Sequence, residues 1–341
     1  MTSLRHDQAV TAANSLRPRD ENDLVAAAQW ALAEGKTFEV VGGGSKRAIG
    51  RAAQWDVTLD LSAFAGITLY EPAELVLSAK AATPLAAIEA ALAANRQELA
   101  FEPIDYGPLL GQSAGQGTLG GVLAANLAGP RRIKAGAARD HFLGFRAVSG
   151  RGEAFKSGGR VVKNVTGYDL SKLLAGSWGT LAAMTEVTLK VLPRAETEQT
   201  VVAHGLSDAD AIRALAAAMG SEAEASGAAH LPAGRRRILR PARGEALTAL
   251  RLEGVLPSIR HRRAILESVL QTYGGVSTLP ETQSRTPCGA RCATRRPSRR
   301  RIAPIRGRSG ACRRRRAKAR RSSPMSRRRP TSRRCTIGRA D

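Results

Sequence analysis

Residues 1–284 contain no cysteine, so neither disulfides nor thiolate metal centres hold that region together. All four cysteines, Cys288, Cys292, Cys312 and Cys335, lie beyond it. Cys288 and Cys292 have no nearby histidine and no second close pair, so a zinc ligand set is incomplete. Aromatic residues make up only 4% of the chain, and residues 285–341 have none. That stretch also lacks acids: 22 of the 53 Lys+Arg fall there, against Asp341 alone. The tail therefore carries +21 of the formal net charge of +24, and residues 1–284, at +3, read as a nearly neutral globular chain. With so little apolar surface to offset chain entropy, the tail is expected to be disordered. Long hydrophobic runs are missing too. The longest, around Leu119–Gly129, is too short to span a bilayer. Residues 1–23 are polar and charged, unlike a signal peptide, and the expected location is cytoplasmic.

What is present alternates between helical and strand periodicity. Asp20–Glu34 reads as a helix with Leu24, Ala27, Ala28, Ala31 and Leu32 on one face, stopped by Gly35. "TFEVVGGG" is a strand entering a glycine loop, and "DVTLDLS" alternates as a strand. "ITLYEP" and "ELVLSAKA" are two more. Pro84 opens a helix carrying Leu85, Ile88 and Leu92, and "ELAF" is a short strand. A long loop then leads to a helix over "LGGVLAANLA". "FLGFRAVSG" and "GEAFKSG" form a hairpin around Arg151-Gly152, and Tyr168–Leu174 is a short helix. "LAAMTEVTLKVLP" is a long strand with Val187, Leu189 and Val191 inward and Glu186, Thr188 and Lys190 outward. The pattern then restarts with a strand at 197–204, a helix at 208–219, a strand at 246–253 and a helix at 256–273. That run implies a second α/β or α+β domain.

Gly115, Gly117 and Gly120 spell G-x-G-x-x-G, but no strand precedes them. Asp140 lies at a suitable distance, yet "RRIKAGAARD" is not a buried strand, so the Rossmann reading is rejected. "GGGSKRAIG" places Ser45 before Lys46 and fails as a Walker A loop. Two glycine-rich segments about 75 residues apart are left. Gly42, Gly43 and Gly44 leave a strand without side chains to block approach, with Ser45 as a further donor, an arrangement suited to an anion. Gly117-Thr118-Leu119-Gly120-Gly121 opens a helix whose free N–H groups would favour phosphate. Each is also compatible with an ordinary turn; together they point to a nucleotide diphosphate held between two sub-domains.

"EVVGGGSKRAIG", "GTLGGVLAANLAGPRR" and the long segment from "ARDHFLGF" through "VKNVTGYDLSKLLAGSWGTL" to "TEVTLKVLP" resemble the FAD-binding domain of the vanillyl-alcohol oxidase/p-cresol methylhydroxylase (PCMH-type) family. The resemblance covers about residues 5–284. It implies an α+β fold: a PCMH-type domain of two α/β sub-domains over 1–194, then a truncated α+β cap over 195–284, and the basic tail over 285–341. By position, Gly42, Gly43, Gly44, Ser45 and Lys46 match the first pyrophosphate loop. Gly117, Thr118, Gly120 and Gly121 match the second. Arg139 and Asp140 match the family's "RD". Gly167, Tyr168, Asp169, Gly176, Ser177 and Gly179 match the segment near the flavin, and Glu186 and Val187 the adenine-ribose side. Plainer roles stand beside these. Tyr168 and Asp169 suit a helix cap, Gly176 and Gly179 suit turns, Lys163 and Lys172 suit the surface, and His141 suits packing.

The resemblance further implies a flavoprotein subunit of a glycolate oxidase-type complex, with FAD as cofactor and a second FAD subunit and an iron–sulfur subunit as partners. The reaction it implies is oxidation of glycolate, a 2-hydroxy acid, to glyoxylate, with peripheral membrane association through the complex. A catalytic base is not identified. His204, His230 and His261 are scattered, and the arginines of "AGRRRILRPAR" have no base beside them. The alternatives are a free-standing FAD-dependent 2-hydroxy-acid or alcohol oxidoreductase, and a structural subunit without flavin. The tail departs from the family wholly. Its Arg, Pro, Ser, Ala, Gly and Cys are what a GC-rich coding sequence yields in the wrong frame, so a frameshift near Arg285–Pro287 is the expectation. The rival is a basic arm binding nucleic acid without sequence specificity.

Overall fold

The structure is a computed structural model that describes residues 14–51, 53–161, 167–233 and 244–279. The expectations for the tail and its cysteines, for Lys163, and for the arginines of 235–243 lie outside the described residues.

The first sheet is parallel, with β3 (Val57–Asp60) between β1 (Ser15–Leu16) and β2 (Phe38–Val41). Helix α1 (Glu21–Ala33) crosses from β1 to β2. Asp20 caps it, its carboxylate accepting the Asp23 N–H at 2.9 Å, while Glu21 and Asp23 complement the positive end of the helix dipole. Leu24 and Ala31 are buried, and Ala27 and Ala28 pack beside them, but Leu32 is exposed. The expected stripe is therefore narrower: Leu32 lies about 100° around the helix from Ala31 and leaves the core.

The second sheet has the order β4 (Ile67–Glu71), β5 (Val76–Lys80), β9 (Ala182–Lys190), β7 (Phe142–Ser149), β8 (Ala154–Gly158), all antiparallel. Helices α2 (Leu85–Ala94) and α3 (Leu119–Ala124) pack Ile88, Leu92, Leu119, Val122 and Leu123 against Leu77, Ala79, Val187 and Leu189. The expected strand "ELAF" overlaps the observed β6 (Gln97–Glu98) only at Glu98; β6 pairs with β10 (Leu192–Pro193). Short helices α4 (Arg132–Ala135), α5 (Ala138–His141) and α6 (Leu170–Leu174) complete this part. The expected helix over 119–128 stops at Ala124 because Asn126 adopts φ +48°.

Strand β9 departs from simple alternation. Arg146 pairs with Glu186 but Ala147 with Met184, which leaves Thr185 as an extra residue. The bulge lets Met184 and Val187 face the same core. Thr188, expected outward, is buried, its hydroxyl 2.7 Å from that of Ser78. Thr185 donates to Glu21 at 3.0 Å, and Arg146 donates to the same carboxylate at 2.6 Å. The Arg146 hydrogen bond holds the Glu21 carboxyl below its ordinary pKa. This group contributes stability above the unfolded carboxyl pKa, and loses it as pH falls through the lowered folded value. Arg146→Met is expected to cost about 0.5–1 kcal/mol at pH 7, discounted for a half-exposed arginine, and almost nothing at pH 3. Denaturant midpoints at the two pH values measure this; equal losses at both would remove the ion pair from the account.

The third sheet, antiparallel, has the order β12 (Gly227–Leu231), β13 (Leu247–Gly254), β11 (Thr197–His204), β14 (Val276–Thr278). Helices α7 (Asp208–Met219) and α8 (Leu256–Gln271) pack on the face bearing Val201, Ala203, Leu250 and Leu252. α7 begins where Ser207 caps it, its hydroxyl accepting the Asp210 N–H at 3.1 Å. Strands β12 and β14 were not expected, because neither carries a period-2 run long enough to read.

Candidate functional site

Strand β2 runs parallel to β3 and delivers Gly42, Gly43 and Gly44 at its carboxyl end. Gly44 takes φ +68°, and the chain then turns through Ser45 to Arg47, whose N–H donates to the Gly44 carbonyl at 3.3 Å. Gly42 and Gly43 take part in no hydrogen bond among the described residues, so their N–H groups are free. Glycine is required here by close approach. A Cβ on Gly43 would overlap the carbonyl oxygen of Gln116, and one on Gly42 would lie 2.9 Å from Thr118 Oγ1. The first glycine loop thus rests directly on the second.

Lys46 reaches the same place. Its ammonium donates to Ser45 Oγ at 3.3 Å and lies 3.2 Å from where a Cβ on Gly121 would sit. Among the described residues it forms no ion pair with a carboxylate. Burial lowers its pKa, and the more distant charge of Asp105 only partly offsets this. Asp105 has a structural duty of its own. Its carboxylate accepts the N–H of Gly107 at 3.0 Å and of Gly115 at 2.7 Å, folding the loop that precedes α3.

The second loop corrects part of an expectation. The N–H groups of Leu119, Gly120 and Gly121 at the start of α3 are already engaged. Leu119 N–H donates to the Thr83 carbonyl at 3.0 Å, Gly120 N–H to Ala81 at 2.7 Å, and Gly121 N–H to Thr118 Oγ1 at 3.3 Å. The reason is the packing of α3 against the chain leaving β5. Gly120 approaches so closely that a Cβ would lie 2.8 Å from the Ala81 carbonyl oxygen, and a Cβ on Gly117 would meet Leu85 at 3.1 Å. Gly117, Thr118 and Gly120 therefore build the floor on which the first loop lies. Among the described residues, the N–H groups of Gly42 and Gly43 on the first loop and of Gly117 and Thr118 on the second have no partner, with Lys46 beside them.

A third glycine segment joins these two. Gly176 N–H donates to Leu123 at 3.2 Å and Trp178 N–H to Ala124 at 2.9 Å, docking the turn on the end of α3. Ser177 N–H donates to Leu174. Gly176, Trp178 and Gly179 all take positive φ, and a Cβ on Gly179 would lie 3.5 Å from Val40 on β2. Arg139 and Asp140 belong to α5. Asp140 accepts the Ala137 N–H at 2.8 Å, and Arg139 N–H donates to Asn126 Oδ1 at 2.9 Å. Asp169 caps α6, accepting the Lys172 N–H at 3.1 Å and pairing with its ammonium at 2.6 Å. The Lys172 hydrogen bond lowers the Asp169 pKa, with a smaller effect from the charge of Arg139. Gly167 takes φ +83° and Tyr168 is almost fully exposed.

The Val187 side chain is fully buried between Ala79 and Phe145 on neighbouring strands and belongs to the core. Glu186 pairs across from Lys80 and Arg146. His141 is buried against Phe101, ring centroids 5.2 Å apart, with Nε2 2.8 Å from the Ala135 carbonyl oxygen. Burial lowers its pKa, opposed by that hydrogen bond. Sequence reasoning missed Asp105 and Asn126. The D-x-G spacing of Asp105 and Gly107 is a turn signal that marks the first; nothing local marks the second.

Free N–H groups, a desolvated ammonium without a carboxylate and glycines admitting close approach suit a diphosphate. Comparison with known proteins agrees. Residues 12–158 match the family model described as an FAD binding domain. The glycolate oxidase subunit GlcE of Escherichia coli K12 is 44% identical over 164 residues, 48% of this chain and 45% of that protein. GlcD of Bacillus subtilis 168 is 41% identical over 86 residues, 25% of this chain and 18% of that protein. The chain thus spans less than half the length of these relatives. An alkyldihydroxyacetonephosphate synthase structure superposes with a TM-score of 0.65 at 18% identity, over 82% of this chain and 53% of that one, and shares the fold.

Proposed function

We propose that this chain is an FAD-binding protein of the PCMH type that serves as the flavin-binding subunit of a glycolate oxidase-type complex. The observation that carries the site is the junction of the two glycine loops beside the unpaired Lys46. In this reading the Gly42 and Gly43 N–H groups and the Lys46 ammonium hold the diphosphate, Ser45 orients the ammonium, and Gly117–Gly121 hold the loop in place. FAD, when bound, supplies two-electron acceptance and release of electrons one at a time. In this reading the turn at Gly176–Gly179, which docks on the end of α3 and lies beside Val40 of β2, also contacts the flavin, as do Arg139 and Gly167–Asp169. The domain division is an FAD-binding part over 1–194, a partial cap over 195–284 and a basic tail over 285–341.

The substrate class is a small 2-hydroxy acid, with glycolate oxidised to glyoxylate, and the partners are a second FAD subunit and an iron–sulfur subunit. A subunit role is favoured over free-standing catalysis because two of the three cap histidines are engaged elsewhere and the third is exposed. His204 Nε2 lies 2.6 Å from Ser277 Oγ, and His230 lies between Thr248 Oγ1 at 2.9 Å and Asp208 at 3.1 Å. His261 is exposed on α8.

The test is the visible spectrum of the purified full chain, before and after acid precipitation. Flavin bands near ~450 nm that move to the supernatant are expected of a non-covalent FAD site. Adding glycolate to the chain alone is expected to leave them unbleached, while bleaching appears with the partner subunits present. A folded chain that takes up no FAD would overturn the reading, and bleaching by glycolate without partners would replace it with a free-standing oxidoreductase.

A further inference from the structure

The segment Glu102–Arg131 carries the Asp105 loop, the second glycine loop and α3. Its two ends are tied to each other. Gly129 N–H donates to the Phe101 carbonyl at 2.8 Å, and Arg131 N–H donates to Glu102 Oε2 at 3.0 Å. Gly129 packs so tightly on Glu102 that a Cβ there would lie 2.8 Å from the Glu102 Cβ. Glu102 itself adopts φ +47°, an unfavourable conformation for a residue with a side chain, which persists only where surrounding contacts impose it.

Those contacts come from the third sheet. Arg251 on β13 donates through Nη1 to Glu102 Oε1 at 2.8 Å and through Nη2 to Oε2 at 2.7 Å, a two-point fork. Arg131 forks in turn onto Glu253 of the same strand, its Nε lying 3.0 Å from Glu253 Oε2, and also pairs with Glu98. All these side chains are largely buried. Burial disfavours charge on Arg251 but is outweighed by its hydrogen bonds to Glu102 and the charge of Glu253, so it stays cationic. Space for the guanidinium comes from Gly227 on β12, where a Cβ would lie 3.3 Å from Arg251 Nη2. Strand β13 thus grips both ends of the segment that carries the floor of the candidate cofactor site.

We propose that Arg251 is a positioning residue for cofactor binding: by holding Glu102 in its left-handed conformation, it fixes the Glu102–Arg131 segment and couples docking of the third sheet to FAD affinity. The inference rests on the FAD reading above. Its test compares wild-type full chain with Arg251→Met and Arg251→Lys. Three quantities are measured: FAD dissociation constant by titration, shape of the bound-flavin absorption band, and amide hydrogen exchange of residues 103–121 and 247–254. Arg251→Met is expected to weaken FAD about tenfold, which is about 1.4 kcal/mol, to alter the band, and to accelerate exchange in 103–121. Exchange in 247–254 is expected to stay near wild type. Arg251→Lys, which keeps the charge but not the fork, is expected to recover part of each effect. Wild-type exchange in 103–121 in Arg251→Met would overturn the proposal. If Arg251→Met also loosens 247–254, Arg251→Lys decides, and faster exchange confined to 103–121 is required of it. If wild-type protein binds no FAD, the flavin reading fails by itself, while the exchange of 103–121 still decides whether Arg251 holds the segment.

Discussion

Gly43→Ala is expected to weaken FAD binding sharply while leaving a folded protein. The added methyl group has nowhere to go, because the Gln116 carbonyl oxygen already occupies its place. Backbone cannot swing aside as a side chain does, so the two glycine loops must separate. Overpacking of this kind costs about 1–3 kcal/mol, or about 5- to 150-fold in an equilibrium constant. The loss falls on the ligand, since the junction it opens is where the free N–H groups meet Lys46. Gly150→Ala is the matched control: nothing lies within 4 Å of its Cβ position. FAD titration of the two variants measures the contrast, and wild-type affinity in Gly43→Ala would mean that the loop junction does not form the site.

Lys46→Met is expected to move two quantities in opposite directions. Without ligand, the buried ammonium has lost hydration and gained no carboxylate, so its removal stabilises the protein, on the order of 1 kcal/mol. With FAD, the lost charge-assisted hydrogen bonds are worth about 1.5–3 kcal/mol, and affinity falls about 10- to 150-fold. The folded pKa of Lys46 lies below its unfolded value, so the unfolded chain binds more protons between the two. Stability of the ligand-free protein therefore rises with pH across that window, and the penalty is complete below the folded pKa. The methionine variant should lack this rise. Denaturant unfolding as a function of pH, alongside FAD titration, checks both signs; a Lys46→Met protein that is both less stable and unchanged in FAD affinity would make the lysine structural.

Strong local signals carried most of the fold. Helix α7 was legible to the residue, because Ser207 and Asp210 form its cap and alanines mark its inner face. Gly42–Gly44 and Gly117–Gly121 were legible as partners of one ligand because glycine clusters after a strand and before a helix have a mechanism attached. What the second cluster does was not legible. Whether the Leu119 and Gly120 N–H groups are free depends on the Thr83 and Ala81 carbonyls, and only tertiary packing brings these near. The burial of Val187 beside an outward Glu186 was legible from alternation, yet position in the motif drew both toward the ligand. The Glu98, Glu102, Arg131, Arg251 and Glu253 cluster had no local trace at all: five charged residues dispersed over 98–253 follow no helical or strand period.

Gly43 and Gln116 touch although a long stretch of chain separates them. Gly43 follows a strand of the parallel sheet, and Gln116 lies in the loop before α3, which docks on the chain leaving a strand of the antiparallel sheet. Neither sheet formed alone presents a surface for the ligand, so the site comes into being only when the slow, long-range pairings are complete. A ligand that recognises this junction binds the native state and no partly folded one, and so draws the folding equilibrium toward completion by mass action. On the FAD reading, cofactor binding therefore favours the folded chain over its partly folded forms.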